Sequence, residues 1–389
     1  MTRAWSELID DATEWRRLLH RRPELTWSEH QTATEIRRRL DALDIGWRAC
    51  AGTGTVATLA PEASGRHVAL RADMDAMPVD EATALPHSSE SPGVMHACGH
   101  DGHMATLMAA TTWLRQHEAD LPGPVSLLFQ PAEEGGHGAR EMIADGALDG
   151  VDVIFGWHNW PAIPFGKAVC PDGPVMSANG TFTIEVRGAG GHASQPEECR
   201  DPVLAAAAIT VALQQVVARR TAPQRAAVVA VTSIDAPSVS ATTTPDTATL
   251  GGSIRVSDTT QRDAVFRLID DVATATASAH GVEVVVTPTT RYGATVNHPG
   301  PATELRDALA SRLGDDWHDG DVLVPIMASE DFSYYLDEVP GAFALVGADD
   351  GNGHREPCHS PRYDFNDRLI DPVAGVFAFL AGAPATHHS

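Results

Sequence analysis

Positive charge is scarce in this 389-residue sequence: 28 basic residues face 52 acidic ones, for a formal net charge of −24. A surface that negative repels phosphate backbones, so nucleic acid is excluded as an expected partner. Cysteine is scarce as well. The five present, Cys50, Cys98, Cys170, Cys199 and Cys358, are odd in number and widely scattered. That pattern argues against a disulfide scaffold and for a reducing compartment, so a cytoplasmic location is expected. Long apolar runs are missing: no stretch approaches the ~18 residues that a membrane span requires, so no membrane partner is expected. The opening "MTRAWSELIDDATEWRRLLH" carries acids early and has no apolar h-region, so it does not read as a signal peptide. The closing "APATHHS" reads as a disordered tail, and its two histidines are set aside.

What is present is a globular balance, 43% hydrophobic and 21% charged, in a chain too long for one ordinary core. Two domains are therefore expected. "WSELIDDATEWRRLLHRRPEL" has helical periodicity up to Pro23, and "SEHQTATEIRRRLDALDI" predicts a second amphipathic helix with Ser28 as its N-cap. The apolar runs "TVATLA" and "HVALRADMDAMPV" read as buried strands, "HMATLMAATTWLRQHEADL" as a helix, and "GPVSLLFQPAEEGG" and "VDVIFGWHNWP" as strands running into loops. This alternation predicts a layered α/β domain, with chemistry at the strand ends. From residue 179 the pattern changes to "TFTIEVRG", "DPVLAAAAITVALQQVVARR", "RAAVVAVTSID", "TATLGGSIRVS", "TQRDAVFRLIDDVATATASAHG" and "VEVVVTPTTR". That is β-α-β-β-α-β, the order of a ferredoxin-like module. The expected anatomy is a discontinuous α/β catalytic domain, 1–178 and 292–389, with an inserted domain at 179–291.

Within this frame "HACGHDGH", residues 96–103, concentrates donor atoms. Cys98 and His100 are one residue apart, and thiolate and imidazole are good ligands for zinc and related ions. A thiol nucleophile at a helix N-terminus is the alternative. In "QPAEEGGHGA" Glu133 and Glu134 are adjacent. In extended backbone their side chains point different ways, so one would bind metal while the other stands beside a water. "GWHNWP" supplies His158, and "REPCHSPRYDFND" supplies His359 with His354 as a competitor. Together Cys98, His100, Glu134, His158 and His359 suit two ions sharing a water better than one tetrahedral ion. Asp73 and Asp75, two apart at a strand end, read either as carboxylates that orient metal-bound imidazoles or as a turn, and Asp101 has the same two readings. His192, in the Gly-rich "GAGGHASQPEECRDPV", reads as an oxyanion donor or as part of a helix-capping loop. Arg255 reads as a grip for a substrate carboxylate or as a surface arginine.

In order along nearly the whole chain, "LHRRPEL", "LRADMDAMP", "HACGHDGH", "QPAEEG", "GWHNWP", "GGHAS", "GGSIR", "MASEDFSYYL" and "HSPRYDFND" resemble the aminoacylase-type metal-dependent amidohydrolases. That group holds hippurate hydrolases, N-acyl-amino-acid deacylases and indole-acetyl-amino-acid hydrolases. The resemblance implies a two-metal catalytic domain with a βαββαβ lid that dimerises. It implies Cys98, His100, Glu134, His158 and His359 as ligands to two divalent ions, zinc or manganese first and cobalt or nickel next. It implies Glu133 as general base, and His192 as oxyanion donor in its own or a partner subunit's site. The implied reaction is attack of a metal-activated water on the amide of an N-acyl amino acid; a dipeptidase or carboxypeptidase using the same site is the alternative. Two departures bear on specificity. Glu197 and Glu198 follow Pro196 where the family has a histidine, and Thr242 stands where it has an asparagine. An acidic pair there favours a substrate carrying an extra amine, such as N-acetyl-2,4-diaminobutyrate, with Glu197 as a binding residue.

Overall fold

The computed structural model describes residues 3–384; the two terminal histidines lie outside them. The described chain divides into two compact units. The larger comprises residues up to Val175, Val296–Val324 and from Asp331 onward; the smaller comprises Met176–Thr295 and Pro325–Glu330. The short segment 325–330, expected in the larger unit, is tied into the smaller one by hydrogen bonds. Ser177 N donates to the carbonyls of Ile326 and Ala328, and Ser177 Oγ also donates to Ala328.

The larger unit is built on a seven-stranded mixed sheet. Its spatial order is Trp47–Cys50, Gly54–Leu59, Val125–Gln130, Val68–Asp73, Val153–Pro164, Gly341–Asp349 and Ala168–Val169. The four strands from Val125–Gln130 to Gly341–Asp349 are mutually parallel. Both Val68–Asp73 and Val125–Gln130 are buried at every position, because helices cover a parallel sheet on both faces. That is why they read as continuous apolar runs rather than alternating ones. The helix Trp5–Arg21 buries Trp5, Leu8, Ala12, Trp15 and Leu19, a three-and-four spacing that places one stripe inward. It packs on the helix His100–Gln116, which packs in turn on Ile370–Leu380. Ser28 is not a cap: the second helix starts at His30, and Glu29 stands at the N-cap position without a capping bond. The Glu29 carboxylate turns inward instead, accepting from Trp27 N, Thr53 Oγ1 and Ala132 N at 3.0, 2.7 and 2.9 Å.

The smaller unit is a four-stranded antiparallel sheet in the order Ala227–Asp235, Thr247–Val256, Ala178–Arg187, Glu283–Thr290. With the helices Pro202–Arg220 and Arg262–Ala279 this is a ferredoxin-like βαββαβ layer. Alternate residues of Ala178–Arg187 are buried, the period-two signature of a sheet covered on one face. Asp201 caps the first helix, accepting from Val203 N and Leu204 N, and Pro202 fills the first turn. Contrary to the sequence expectation, this 19-residue helix is long and apolar enough to cross a membrane. Its Ala205, Ala206, Ile209, Leu213 and Val216 are buried in the unit's own core with Phe182, Ile184, Leu250 and Ile269.

Candidate metal centre

In the larger unit the chemistry gathers where strands give way to loops, as it does in open α/β sheets. Asp73 ends one strand, Glu133 and Glu134 follow another after Gln130, His158 lies within a third, and His100 opens a helix. Gly99, just before that helix, has φ +89°, and a Cβ there would collide with the Tyr363 hydroxyl and the Asn159 side chain. Glycine is thus needed for Cys98 and His100 to face one point from either side of it.

They do face one point. Cys98 Sγ lies 3.3 Å from His158 Nε2 and 3.4 Å from His359 Nε2. His359 Nε2 is 3.4 Å from Glu134 Oε1. Donor atoms of Cys98, His100 and His158 lie within 4.8 Å of one another, as do those of Cys98, Glu134 and His359, and those of His100, Glu133 and Glu134. The structure therefore brings all five sequence-read ligands together with Glu133. His359 is held there with φ +71°, in the left-handed region, by its N–H donating to Ala97 O at 2.7 Å. A non-glycine residue in that conformation costs about 1–3 kcal/mol and persists only where its surroundings enforce it.

The donor set fits a cation. His100 Nδ1 donates to the Asp75 carbonyl at 2.8 Å, which turns Nε2 into the cluster. His100 Nε2 and Glu134 Oε1 are buried with no hydrogen-bond partner among the described residues. Leaving such groups unsatisfied costs free energy that a bound cation removes. Burial disfavours charge on His100, but Asp73 and Asp75 override it and push its pKa up to about 10. These carboxylates thus favour positive charge at this point of the site. His158 goes the other way: burial, then His103, hold it well below the ordinary imidazole value, so it stays neutral. Its Nδ1 donates to the Asn159 carbonyl at 2.6 Å, leaving Nε2 as the coordinating atom.

The supporting carboxylates differ in what they hold. Asp75 meets His100 Nδ1 with its backbone carbonyl at 2.8 Å and with its carboxylate Oδ1 at 3.4 Å. The same carboxylate accepts from the backbone N–H groups of Glu133 and Glu134, both at 3.0 Å, and from Thr26 Oγ1 at 2.7 Å. Glu133 and Glu134 sit in a turn, not in extended backbone. Glu29 and Asp75 pin this turn from behind, with Ala132 at φ +56°. Asp73 Oδ1 accepts from His103 Nδ1 and Oδ2 from Arg71, both at 2.6 Å; its distance to His100 Nε2 is 3.7 Å. Burial alone would raise its pKa, but Arg71, His100 and His103 hold it well below the carboxylate range. Asp101 orients no ligand: its carboxylate holds His20 Nδ1 at 2.8 Å and Arg16 at 3.4 Å. His354 is no competitor either, since its Nδ1 bonds Asp350 at 2.8 Å.

The remaining predicted residues belong to the smaller unit. His192 is exposed on the short strand Gly191–His192, which pairs with Thr243–Thr244 beside Thr242. Its Nδ1 accepts from Ser194 N at 3.2 Å, which leaves the proton on Nε2. Arg255 donates to Ser329 Oγ at 2.7 Å; burial, then repulsion from Arg291, lowers its pKa. Arg291 is thus a second cation beside Arg255, absent from the sequence reading. Glu197 lies exposed in the 3-10 turn Pro196–Glu198.

Sequence reasoning also missed His103, Asn159 and Tyr363. His103 Nε2 contacts Asn159 Oδ1 at 2.8 Å, and Asn159 Nδ2 donates to Tyr363 OH at 2.7 Å, forming a buried layer beneath the ligands. A signal for His103 was present: it lies three residues after His100, on the same helical face.

The model of peptidase family M20/M25/M40 matches residues 69–382. An N-acetyl-L-cysteine deacetylase of Bacillus subtilis (strain 168) is 38% identical over 348 residues, covering 88% of this chain and 81% of that relative. The IAA-amino acid hydrolase ILR1-like 2 of Arabidopsis thaliana is 37% identical over 380 residues, covering 96% and 85%. Among solved structures, the Bacillus subtilis YXEP protein, described as a dinuclear metal binding peptidase from the M20 family, matches with a TM-score of 0.82. It shares 32% identity over 97% of this chain and 98% of that one.

Proposed function

The chain belongs to peptidase family M20/M25/M40, and from that premise we propose that it hydrolyses the amide bond of small N-acyl amino acids with the help of two divalent metal ions. One observation carries this reading: two overlapping donor triads, Cys98–His100–His158 and Cys98–Glu134–His359, share one sulfur, and the Glu133 carboxylate adjoins them. Zinc or manganese suits this thiolate, imidazole and carboxylate set. When bound, such ions polarise the amide carbonyl and acidify a water.

The chain's own residues do the rest. Glu133, held by the Asp75 bond to its backbone, accepts the water proton and passes it to the leaving nitrogen, so that a carboxylate and a free amino acid depart. His192 presents Nε2–H to the carbonyl oxygen as negative charge builds there. Arg255, with Arg291 beside it, supplies positive charge for the substrate carboxylate. The exposed acids Glu197 and Glu198 favour an acylated amino acid bearing a second amine. We also propose a homodimer formed through the smaller unit, working in the cytoplasm, in keeping with the five free thiols.

The test is a comparison of kcat/KM for N-acetyl-amino acids, N-acetyl-2,4-diaminobutyrate, hippurate and dipeptides, using metal-loaded protein. Faster turnover of the dipeptides would replace the deacylase reading with the dipeptidase one. A value for N-acetyl-2,4-diaminobutyrate no higher than for hippurate would remove the acidic pair from specificity.

A further inference from the structure

Cys358 has no part in the chemistry above. It belongs to neither donor triad, yet its thiol is the first cause, ahead of burial, that holds the Cys98 thiol well above its ordinary pKa. The backbone brings the two together. His359 N donates to Ala97 O at 2.7 Å, which lays the peptide joining residues 358 and 359 against the one joining 97 and 98. That bond sets the backbone at Cys98 beside the backbone at Cys358, and side-by-side backbones are what a disulfide, with its ~4.4–6.8 Å between Cα atoms, requires. Asn159 closes the arrangement: its Nδ2 lies 3.8 Å from Cys358 Sγ, and its side chain also packs beside Gly99, the neighbour of Cys98. Cys358 is half-buried, whereas Cys50 and Cys170 are buried elsewhere in the unit.

We propose that Cys98 and Cys358 form an oxidative modification site: a hydroperoxide links them in the metal-free protein, and bound metal protects them by engaging Cys98. The protective half rests on the reading of Cys98 as a ligand. The more accessible Cys358 sulfur attacks the peroxide, the O–O bond breaks, and a sulfenic acid and one water result. The Cys98 sulfur then attacks the Cys358 sulfur, the S–O bond breaks, and the hydroxide leaves with the Cys98 proton as a second water. Two thiols are oxidised to one disulfide and one hydrogen peroxide is reduced to two waters. The link removes the one sulfur that both donor triads share, so a single oxidation disables the whole centre until a dithiol reduces it.

The test uses the full chain, half of it stripped of metal by a chelator and half loaded with zinc or manganese. Both are treated with stoichiometric hydrogen peroxide, alkylated, digested and mapped by mass spectrometry. The expected result is a Cys98–Cys358 linked peptide in the metal-free sample, about tenfold less of it in the loaded one, and recovery of both alkylated cysteines after dithiothreitol. C358S is expected to lose the link while still taking up metal. Metal-free protein with both cysteines alkylated, or with Cys98 linked to Cys199, overturns the site; normal metal uptake in that same protein would leave the ligand reading standing. Equal linking with and without metal overturns the protection, and with it the place of Cys98 among the ligands.

Discussion

Cys98 Sγ and His359 Nε2 lie 3.4 Å apart although 261 positions separate them in the chain. Their places in the cluster differ: Cys98 belongs to both donor triads, His359 to one. Removing them should therefore have unequal effects. His359→Ala is expected to retain about one ion per chain and Cys98→Ala to retain less than one, with the unsubstituted protein at about two. Metal analysis after gel filtration measures this. Equal loss in the two variants would mean that the sulfur is not shared.

Asp75 acts at a distance from the reacting atoms. Its two carboxylate oxygens accept from the backbone of Glu133 and Glu134. Asp75→Asn replaces one acceptor with an N–H pair facing an N–H donor, and each hydrogen bond to a charged group contributes about 1.5–3 kcal/mol. The expected outcome is a Tm several degrees lower together with a lower kcat. A variant that melts normally but loses activity would show that Asp75 does not hold the turn.

Glu133→Gln keeps the size of the side chain and removes the proton acceptor. Metal content should stay unchanged while kcat falls by about 10²–10⁴, the range for loss of a general base. Pre-steady-state mixing with an N-acyl substrate would separate this from a binding defect. Loss of metal along with activity would make Glu133 a ligand instead.

His192→Ala should leave metal content and fold intact and lower kcat about 10²–10³-fold, with a smaller change in KM, as expected for a donor to a developing oxyanion. A rise in KM alone would assign His192 to ground-state binding.

The donors were legible because Cys98 and His100 at the start of a helix, and Glu133 and Glu134 just after a strand, fall as close pairs whose residue types alone carry the chemistry. The ferredoxin-like unit was legible because its sheet is covered on one face, so that period-two alternation survives in Ala178–Arg187. What escaped were contacts that only tertiary packing creates. Asn159 and Tyr363 carry no ligand signal of their own. Asp101 was misread because one helical step from His100 turns a side chain about 100° away, here toward Arg16 and His20 of the first helix. The Glu133–Glu134 turn could not be read as a turn because what bends it, the buried Glu29 and Asp75, lies 104 and 58 positions upstream of Glu133 in the chain.

That same Asp101–His20 pair predicts a pH dependence of stability. His20 Nδ1 lies 2.8 Å from Asp101 and its Nε2 3.5 Å from Glu81. Burial opposes its charge, but Asp101 and Glu81 prevail and raise its pKa from 6.5 to about 9. A raised folded-state value means that the folded protein holds a proton the unfolded chain releases. The stabilisation is complete below ~6.5 and is lost as pH climbs through about 9. At ~1.4 kcal/mol per pKa unit, the loss across that window is about 3 kcal/mol. Glu81 bounds the other side: burial would raise its pKa, but the His20 imidazole 3.5 Å away leads in lowering it to about 2, so its contribution is lost as pH falls toward that value. Metal-loaded protein should thus melt highest near pH 5–6.5 and lower by several degrees at pH 9. His20→Gln, which keeps a donor for Asp101 but cannot titrate, should flatten the alkaline limb. An unchanged alkaline limb in that variant would assign the loss to other groups.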